Sequence, residues 1–269
     1  NFSIHKDCFI AKYDQNGTLL WAKDFFYPAT TGNVFDMALD NAGNIYTTAS
    51  FSQYGDTHIT DSIQLLNTGG ADGFIAKYNN NAELQWANTI QGPNGEVPTS
   101  IDINANGETF IGGYYSSNSN YYTHIFDSIT INGNVNSKAE IFVAKYSTSG
   151  ICEWVRTAGG NGANFTREIY VDNNGDVFIT GSVGSYGDSA IFDNQTFHFP
   201  HGQIAMFLAQ YDTNGNLKNV EVSQGGQGQA FDLTGNAQGD LYITGGFLGS
   251  WNFGTLSLTG NEDMFLMKL

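Results

Sequence analysis

A short apolar segment recurs five times along the 269-residue chain, and this repeat limits the folds that are open to it. The copies span residues 7–13, 72–78, 140–146, 205–211 and 263–269. Their phenylalanines, at positions 9, 74, 142, 207 and 265, are 65, 68, 65 and 58 residues apart. A spacing this regular indicates one supersecondary unit that is repeated in series.

Each repeat contains four predicted strands. The recurring segment is the third strand, and the fourth carries Trp21, Trp86 or Trp154, with Asn219 in the last copy. The first two strands are joined by turns that open with Asp or Asn and close with Gly, at residues 40–43, 104–107, 172–175 and 236–239. Asp and Asn open such turns by bonding their own backbone, and Gly tolerates the positive φ that closes them.

The third strand is apolar at nearly every position, as in residues 74–78. A half-exposed strand would alternate, so this pattern predicts a strand that is buried on both faces. In a β-propeller each blade packs between two neighbours, which provides that environment. No segment shows helical periodicity. We therefore predict an all-β fold, a β-propeller of four-stranded antiparallel blades.

The repeats predict a single propeller arc over residues 1–269, with about four to five blades. Full blades fall at 34–89, 99–157 and 166–222, and partial blades at 7–23 and 229–269. Both partial blades contain a third strand, so they do not combine cleanly into one blade. We expect a fragment of a longer protein and a larger propeller, with further blades or another subunit covering the open ends. The alternative is a small closed ring in which residues 7–23 complete the last blade.

The repeat resembles the bacterial SBBP-type β-propeller repeat. That pattern has an acidic residue before Phe-(Ile/Val)-Ala-Lys-Tyr, then Gly-x-Leu-x-Trp, and then Asp-x-x-Gly-Asn-(Val/Ile)-Tyr-(Val/Ile)-Thr-Gly. It is matched here over residues 72–86, 172–181 and 239–245. The resemblance covers essentially the whole chain and implies the fold, but no particular activity. Its members resemble secreted or surface proteins of bacteria, including those exported by the type IX route, which implies an extracellular or cell-surface location.

The chain is strongly acidic, with a formal net charge of −16 from 26 acidic and 10 basic residues. Such a surface repels phosphate backbones, which argues against a nucleic-acid partner. No run of about 18 apolar residues is present, so the sequence predicts no membrane span. The two cysteines, Cys8 and Cys152, lack metal-type spacing, and their different repeat positions argue against a disulfide.

Acidic side chains recur on the predicted first strands, at Asp36, Asp102, Glu168 and Asp232. First strands line the central channel of a propeller, so these residues would form an anionic channel. The alternative is that they solvate a water-filled channel or accept hydrogen bonds from neighbouring blades. Repeated acids at one register lack the asymmetry of a catalytic pair, so we favour a structural role.

Two further sets of residues are candidate surface sites. Tyr114, Tyr115, Tyr121 and Tyr122 lie in or beside a long predicted link, where they would bind a protein or glycan, or else pack on the neighbouring blade. Three Asp-Ser pairs resemble the Asp-(Ser/Thr)-apolar acceptor of bacterial O-glycosylation, which makes Ser62, Ser128 and Ser189 candidate glycan carriers. The alternative is that Asp61 and Asp127 only open a turn at one repeat position, of which Asp193 is the third copy; Asp188 lies outside that register.

The sequence predicts no cofactor, no metal site and no catalytic residues. The hairpin turns are compatible with one surface Ca²⁺, but each supplies only one or two suitable oxygens, whereas Ca²⁺ prefers six to eight. The histidines have no metal-ligand spacing on one element. Lysines recur in third strands at Lys12, Lys77, Lys145 and Lys268, which indicates a framework role.

These features predict a non-enzymatic, extracellular β-propeller scaffold for protein or glycan binding or adhesion, or a subunit of a bacterial surface assembly. The alternative, from another class, is a polysaccharide-active enzyme, a glycoside hydrolase or lyase, with its site at the channel face. That alternative requires a non-repeated acidic pair in a deep cleft, and the sequence shows no such pair.

Overall fold

A computed structural model describes residues 8–26, 32–51, 57–59, 63–116, 123–133 and 138–269. The regular structure is entirely β-strand, and no described residue is helical. The prediction of an all-β fold is therefore confirmed. Within the described ranges, no helix is long and apolar enough to cross a membrane.

Four sets of antiparallel strands follow one another along the described chain, and we call them units 1 to 4; a short parallel pairing of β13 with β15 joins units 2 and 3. Unit 1 contains β3 (Gly32–Leu39), β4 (Ile45–Phe51), β7 (Asp72–Tyr78) and β8 (Leu84–Gln91). Unit 2 contains β9 (Glu96–Ile103), β10 (Thr109–Ser116), β13 (Ala139–Tyr146) and β14 (Cys152–Gly159). Unit 3 contains β15 (Ala163–Val171), β16 (Val177–Ser185), β19 (Ala205–Tyr211) and β20 (Leu217–Val222). Unit 4 contains β21 (Gln224–Gly235), β22 (Leu241–Phe253) and β23 (Leu256–Lys268).

The remaining strands form hairpins. Ahead of unit 1, β1 (Cys8–Tyr13) pairs with β2 (Leu19–Phe26). The links between second and third strands contain β5 (Thr57–Ile59) with β6 (Ile63–Leu65), β11 (Thr123–Phe126) with β12 (Ile129–Asn132), and β17 (Ser189–Phe192) with β18 (Gln195–His198). The first strands of the units, β3, β9, β15 and β21, lie side by side in that order, as in propeller repeats.

The third strands of units 1 to 3 are buried between neighbouring units. The expected burial on both faces is wrong for the two end copies, β1 and β23, where Phe9 and Leu266 are 70% and 71% exposed. All eight positions of β13 are buried, as are six of the seven positions of β7. One apolar cluster joins Tyr46 and Ile75 of unit 1 to Ile101 and Phe142 of unit 2. Because both faces of a third strand contact apolar side chains, its sequence has no reason to alternate.

The fourth strand of each of the first two units bonds to a turn of the next unit. Trp86 Nε1 donates to the carbonyl of Thr148 over 3.1 Å, and Trp154 Nε1 makes the equivalent bond to unit 3 over 3.1 Å. Lys23 on β2 donates in a similar way to the carbonyl of Asn81 in unit 1. The β1–β2 hairpin therefore contacts unit 1 much as unit 1 contacts unit 2.

Two of the link hairpins extend the sheet of the preceding unit, which the sequence analysis did not anticipate. From the link of unit 2, β11 pairs with β8 of unit 1 through Ile125 and Phe126. From the link of unit 3, β17 pairs with β14 of unit 2 through Ile191 and Phe192. Both phenylalanines are fully buried, so each hairpin covers a sheet edge that would otherwise be open.

Candidate functional site

Three of the four predicted channel acids occupy one position of the repeat. Asp36, Glu168 and Asp232 lie on first strands, each opposite a threonine of the neighbouring second strand. In unit 2 this position is held by Ser100, and Asp102 lies two residues further along β9. The row of acids is therefore interrupted by a serine in unit 2.

Two of these carboxylates connect neighbouring first strands through backbone hydrogen bonds. Oδ1 of Asp36 accepts the Met37 amide over 2.7 Å, and Oδ2 accepts the Ile101 amide of β9 over 2.9 Å. Asp102 repeats this arrangement with its own following amide at 2.8 Å and the Val171 amide of β15 at 2.7 Å. Bonds to a charged acceptor are stronger than neutral ones, so both acids help to fix the packing of units 1 to 3.

Burial controls the protonation of the inner acids. It raises the pKa of Asp36 and of Asp102, although their amide partners oppose the rise. Burial also raises the pKa of Glu168 to about 7, and the charges of Asp36 and Asp232 contribute to this rise. Asp232 itself is exposed, and its Oδ1 accepts the amide of the following residue over 2.8 Å. Burial therefore brings the pKa of Glu168 close to neutral pH.

Ser100 joins two of the acids. Its Oγ lies 3.1 Å from Oδ2 of Asp36 and in hydrogen-bond contact with Oε1 of Glu168. The Ile169 amide donates to the same Oγ over 3.2 Å. Ser100 is fully buried. Groups from the first strands of units 1, 2 and 3 thus meet at one hydroxyl.

The structure corrects the expectation of an exposed binding surface for two of the tyrosines. Tyr115 is fully buried, and its hydroxyl donates to Oε2 of Glu140 over 2.6 Å. Tyr114 is half-buried, with its ring edge-on to Phe165 of unit 3 at a centroid distance of 4.8 Å. Burial removes the ring faces of Tyr115 that a ligand would contact, and Tyr114 packs on the neighbouring unit, which was the alternative to a binding role. The other two candidates, Tyr121 and Tyr122, lie outside the described residues.

The candidate glycan carriers differ in accessibility. Ser128 is exposed in the turn between β11 and β12, where Asp127 adopts a φ of 53°. Ser189 begins β17, is half-buried, and bonds a neighbouring asparagine over 3.3 Å. Ser62 lies outside the described residues. In the corresponding turn between β17 and β18, Asp193 adopts a φ of 54°, so Asp127 has a turn-forming role of its own.

The hairpin turns use their carboxylates internally. Oδ1 of Asp40 accepts the amides of Ala42 and Asn44, each over 2.9 Å, and Gly43 closes the turn with a φ of 78°. This oxygen faces amide hydrogens, which is the geometry of a hydrogen-bonded turn. In the described ranges, no group of three or more His, Cys, Asp and Glu side chains is arranged to hold a metal ion.

A buried polar cluster that the sequence analysis did not identify lies between units 1 and 2. It consists of Asp72 at the start of β7, Glu96 at the start of β9 and His124 on β11, all fully buried. Nδ1 of His124 lies 2.6 Å from Oε1 of Glu96. Oδ2 of Asp72 accepts the amide and the hydroxyl of Thr68 over 2.7 and 3.1 Å. The cluster therefore links the third strand of unit 1 to the first strand and link hairpin of unit 2.

Burial also determines the charge of this cluster. It raises the pKa of Glu96 to about 9, and the neighbouring Asp72 carboxylate contributes to the rise. It lowers the pKa of His124 to about 4. At neutral pH, Glu96 therefore carries a proton and His124 is uncharged. The Tyr115 ring packs against the His124 ring with centroids 4.1 Å apart, which helps to exclude water.

The repeat contains a partial signal for this cluster. Asp72 corresponds to Glu140 in unit 2, and each begins or nearly begins a third strand. Glu96 corresponds to Asn164 in unit 3, whose Nδ2 donates to a backbone carbonyl of unit 2 over 2.9 Å. A polar bond thus recurs at this junction. In the sequence a histidine recurs as well, because His58 holds the position of His124 in the link of unit 1, each in a Thr-His-Ile segment ahead of Asp-Ser-Ile. This recurrence was the sequence feature that could have identified His124.

The third-strand lysines that contact carboxylates have the framework role that their repetition predicts. Nζ of Lys145 lies 2.6 Å from Glu108 and 3.0 Å from Glu153. Nζ of Lys268 lies 2.7 Å from Asp240. Each carboxylate follows or adjoins a hairpin turn, so these ion pairs hold turns against third strands.

Two solved structures align with nearly the whole chain. A catalytically inactive virginiamycin B lyase from Staphylococcus aureus, with quinupristin, covers 97% of this chain and 96% of its own, at 11% identity and a TM-score of 0.30. A selenomethionine-substituted virginiamycin B lyase from the same organism covers 97% and 95%, at 10% identity and a TM-score of 0.29.

At the sequence level, no protein-family model matches the chain. An uncharacterised WD repeat-containing protein of Acanthamoeba polyphaga mimivirus is 25% identical over 199 residues, which is 65% of this chain and 14% of the viral protein. The chain thus matches a minor part of that protein's length. WD repeats are propeller repeats. Together with the repeated antiparallel sheets, this similarity makes the chain a repeat protein of the β-propeller type.

Proposed function

We propose that the chain is a non-enzymatic, extracellular scaffold that binds a protein or glycan partner, or forms a subunit of a bacterial surface assembly. The extracellular and bacterial parts of this proposal rest on the resemblance to SBBP-type repeats. The scaffold role rests on how the repeated side chains are used and on one exposed apolar face.

An exposed face on β3 is the observation that carries the proposal. Met37 and Leu39 are 56% and 63% exposed. The residues at the position of Met37 in units 2, 3 and 4 are Ile101, Ile169 and Leu233, which are 4%, 3% and 4% exposed. Those three lie in apolar clusters with side chains of the preceding unit. The equivalent face of β9, β15 and β21 is thus covered by the preceding unit, whereas the face of β3 is exposed. A protein surface or a further repeat would fit this face.

A groove between β1 and β3 is part of this face. Its volume is about 380 Å³, and its walls include Phe9, Val34, Phe35 and Met37 beside the carboxylate of Asp36. Exposed apolar patches of this kind mark contacts with other proteins more often than with polar polymers. Between the two classes of partner, the groove thus favours a protein over a glycan.

The acids of the described chain support a non-catalytic role. Asp36 and Asp102 each use both oxygens on backbone amides. Asp72 and Glu96 are a close acidic pair, but both are fully buried. A glycoside hydrolase requires two carboxylates on opposite sides of a bound sugar, and these acids are occupied or enclosed instead.

One observation favours the alternative of a polysaccharide-active enzyme at the channel face. Glu168 and Asp36 contact the same hydroxyl, and the pKa of Glu168, raised to about 7 by burial, suits a general acid. Both residues lie on first strands, where a channel-face site would be. Because both oxygens of Asp36 accept backbone amides, Glu168 is the residue at which catalysis is tested.

Binding is tested with the double variant Met37→Asp/Leu39→Asp. The chain is cross-linked to cell-surface proteins, and the cross-linked products are identified by mass spectrometry. We expect the product formed by the native chain to be absent with this double variant. Ile151→Asp is the matched control, because Ile151 is also 58% exposed but lies away from β3, and it should keep the product. Equal products from all three proteins would exclude this face as the contact surface.

Catalysis is tested by release of reducing ends from a panel of polysaccharides. We expect no release above a blank. Release that disappears in Glu168→Gln would establish the enzymatic alternative and overturn the scaffold.

A further inference from the structure

The hydroxyl of Ser100 contacts more hydrogen-bond acceptors than it has protons to donate. A serine hydroxyl has one proton to donate and two lone pairs. Its Oγ contacts carboxylate oxygens of both Asp36 and Glu168. If both carboxyls were ionised, one contact would set an oxygen lone pair against a carboxylate at a fully buried residue. Such an unmatched contact is costly away from water.

The backbone amides decide which carboxyl holds a proton. Oδ2 of Asp36 already accepts the Ile101 amide over 2.9 Å, and Oδ1 accepts a second amide. These donors stabilise the ionised form of the Asp36 carboxyl. The Ile169 amide divides its donation between Ser100 Oγ at 3.2 Å and Glu168 Oε1 at 3.1 Å. Every contact is satisfied if Glu168 donates to Ser100 and Ser100 donates to Asp36.

The surrounding charges favour the same assignment. Asp36 on β3 and Asp232 on β21 are acids at this position, and Asp102 lies two residues further along β9 than Ser100. β16, on the other side of β15, has no ionisable residue. Arg167 places its guanidinium over an aromatic ring at 6.0 Å, and Tyr114 on β10 interacts with Arg167. Burial raises the pKa of Glu168 to about 7, and the charges of Asp36 and Asp232 contribute to this rise.

We propose that Asp36, Ser100 and Glu168 form a hydrogen-bonded chain that holds one proton across units 1, 2 and 3, and that its loss weakens the contact between units 2 and 3. The proton passes from the Glu168 carboxyl to water, which leaves two carboxylates that compete for one hydroxyl. Because this occurs in the neutral range, the inner strands of the scaffold respond to small changes in pH.

The test is a carboxyl-carbon NMR titration of protein labelled at glutamate Cδ. The Glu168 resonance is assigned by its disappearance in Glu168→Gln, and its midpoint is expected near pH 7. In Asp36→Asn the Ser100 proton becomes available to Glu168, so the midpoint should fall by about one pH unit or more. Asp232→Asn is the matched control: it removes a facing carboxylate without touching Ser100, and its shift should be smaller.

Removing the bridge separates the shared proton from simple charge repulsion. In a Ser100→Ala background, the Asp36 and Asp232 substitutions should shift the midpoint by similar amounts. The Ile169 amide nitrogen resonance in the unsubstituted protein should titrate with the midpoint of Glu168, which requires no variant to fold. A Glu168 midpoint near the ordinary value of 4.5 would overturn the proposal. So would equal shifts from the two substitutions while Ser100 is present.

Discussion

Replacing Glu96 by glutamine is expected to make folding less sensitive to pH above neutrality. In the native chain Glu96 is fully buried beside Asp72 and 2.6 Å from His124, and it keeps its proton in the folded state. Glutamine has nearly the same shape as the protonated carboxyl and cannot ionise. The substitution therefore preserves the cluster and removes its proton equilibrium.

The size of the effect follows from the two protonation states. The pKa of Glu96 is about 9 in the folded chain, against an ordinary value of 4.5, because burial opposes the charged form. Its contribution to stability is thus fully present below pH 4.5 and is lost as the pH rises through 9. Between pH 6 and pH 8 the folded chain holds this proton and the unfolded chain does not. The loss is about 1.4 kcal/mol per pH unit, or about 3 kcal/mol over the interval.

The measurement is urea unfolding at pH 6, 7 and 8 at constant ionic strength, followed by tryptophan fluorescence. The stability of Glu96→Gln relative to the native chain should rise by about 3 kcal/mol from pH 6 to pH 8. The control is Glu221→Gln on β20, a residue outside the cluster, which should run parallel to the native chain. If the native chain and Glu96→Gln also run parallel, Glu96 holds no proton in the folded state and the reasoning fails.

Three further substitutions test how the units are held together. Tyr115→Phe removes the hydroxyl that donates to Oε2 of the buried Glu140 over 2.6 Å. The free energy of unfolding in urea should fall by about 1–3 kcal/mol. An unchanged unfolding midpoint would mean that this bond contributes nothing to stability. Trp154→Phe removes the 3.1 Å bond from unit 2 to a turn of unit 3, and should lower the free energy of unfolding by about 1 kcal/mol or more; a variant as stable as the native chain would contradict this role. Gly70→Ala would set a Cβ 1.7 Å from a backbone carbonyl oxygen and should markedly lower the melting temperature. Gly95→Ala is its control and should have little effect, because the new Cβ would meet no atom nearer than 3.6 Å. Similar losses of melting temperature in both variants would refute the steric argument.

The repeated part of the fold could be predicted because its signal is local. Strand and turn residues lie next to one another in sequence, so the apolar segments and the Asp-to-Gly turns mark the strands directly. The row of inner acids was also visible, at Asp36, Glu168 and Asp232. Its member in unit 2 was missed because Ser100 is not acidic, and its role appears only when two carboxylates of other units reach it.

The buried cluster could not be predicted because its members converge through a non-local pairing. Asp72, Glu96 and His124 come from three strands, and His124 reaches the other two because β11 folds back onto β8 of the preceding unit. No periodicity in the sequence indicates that a link hairpin pairs with the preceding unit. The tyrosines show the same limit, since Tyr115 is buried in a cluster that includes side chains of the preceding unit.

The pairing of β11 with β8, and of β17 with β14, has a consequence for the order in which the chain can fold. During synthesis, unit 1 emerges with the outer edge of β8 bare, and that edge is covered only after residues up to Phe126 have been made. Unit 2 depends in the same way on residues up to Phe192. Units 2 and 3 thus each complete the sheet of the unit before them. A nascent chain that stalls within one of these links leaves the edge strand of the preceding unit exposed to non-native pairing and aggregation.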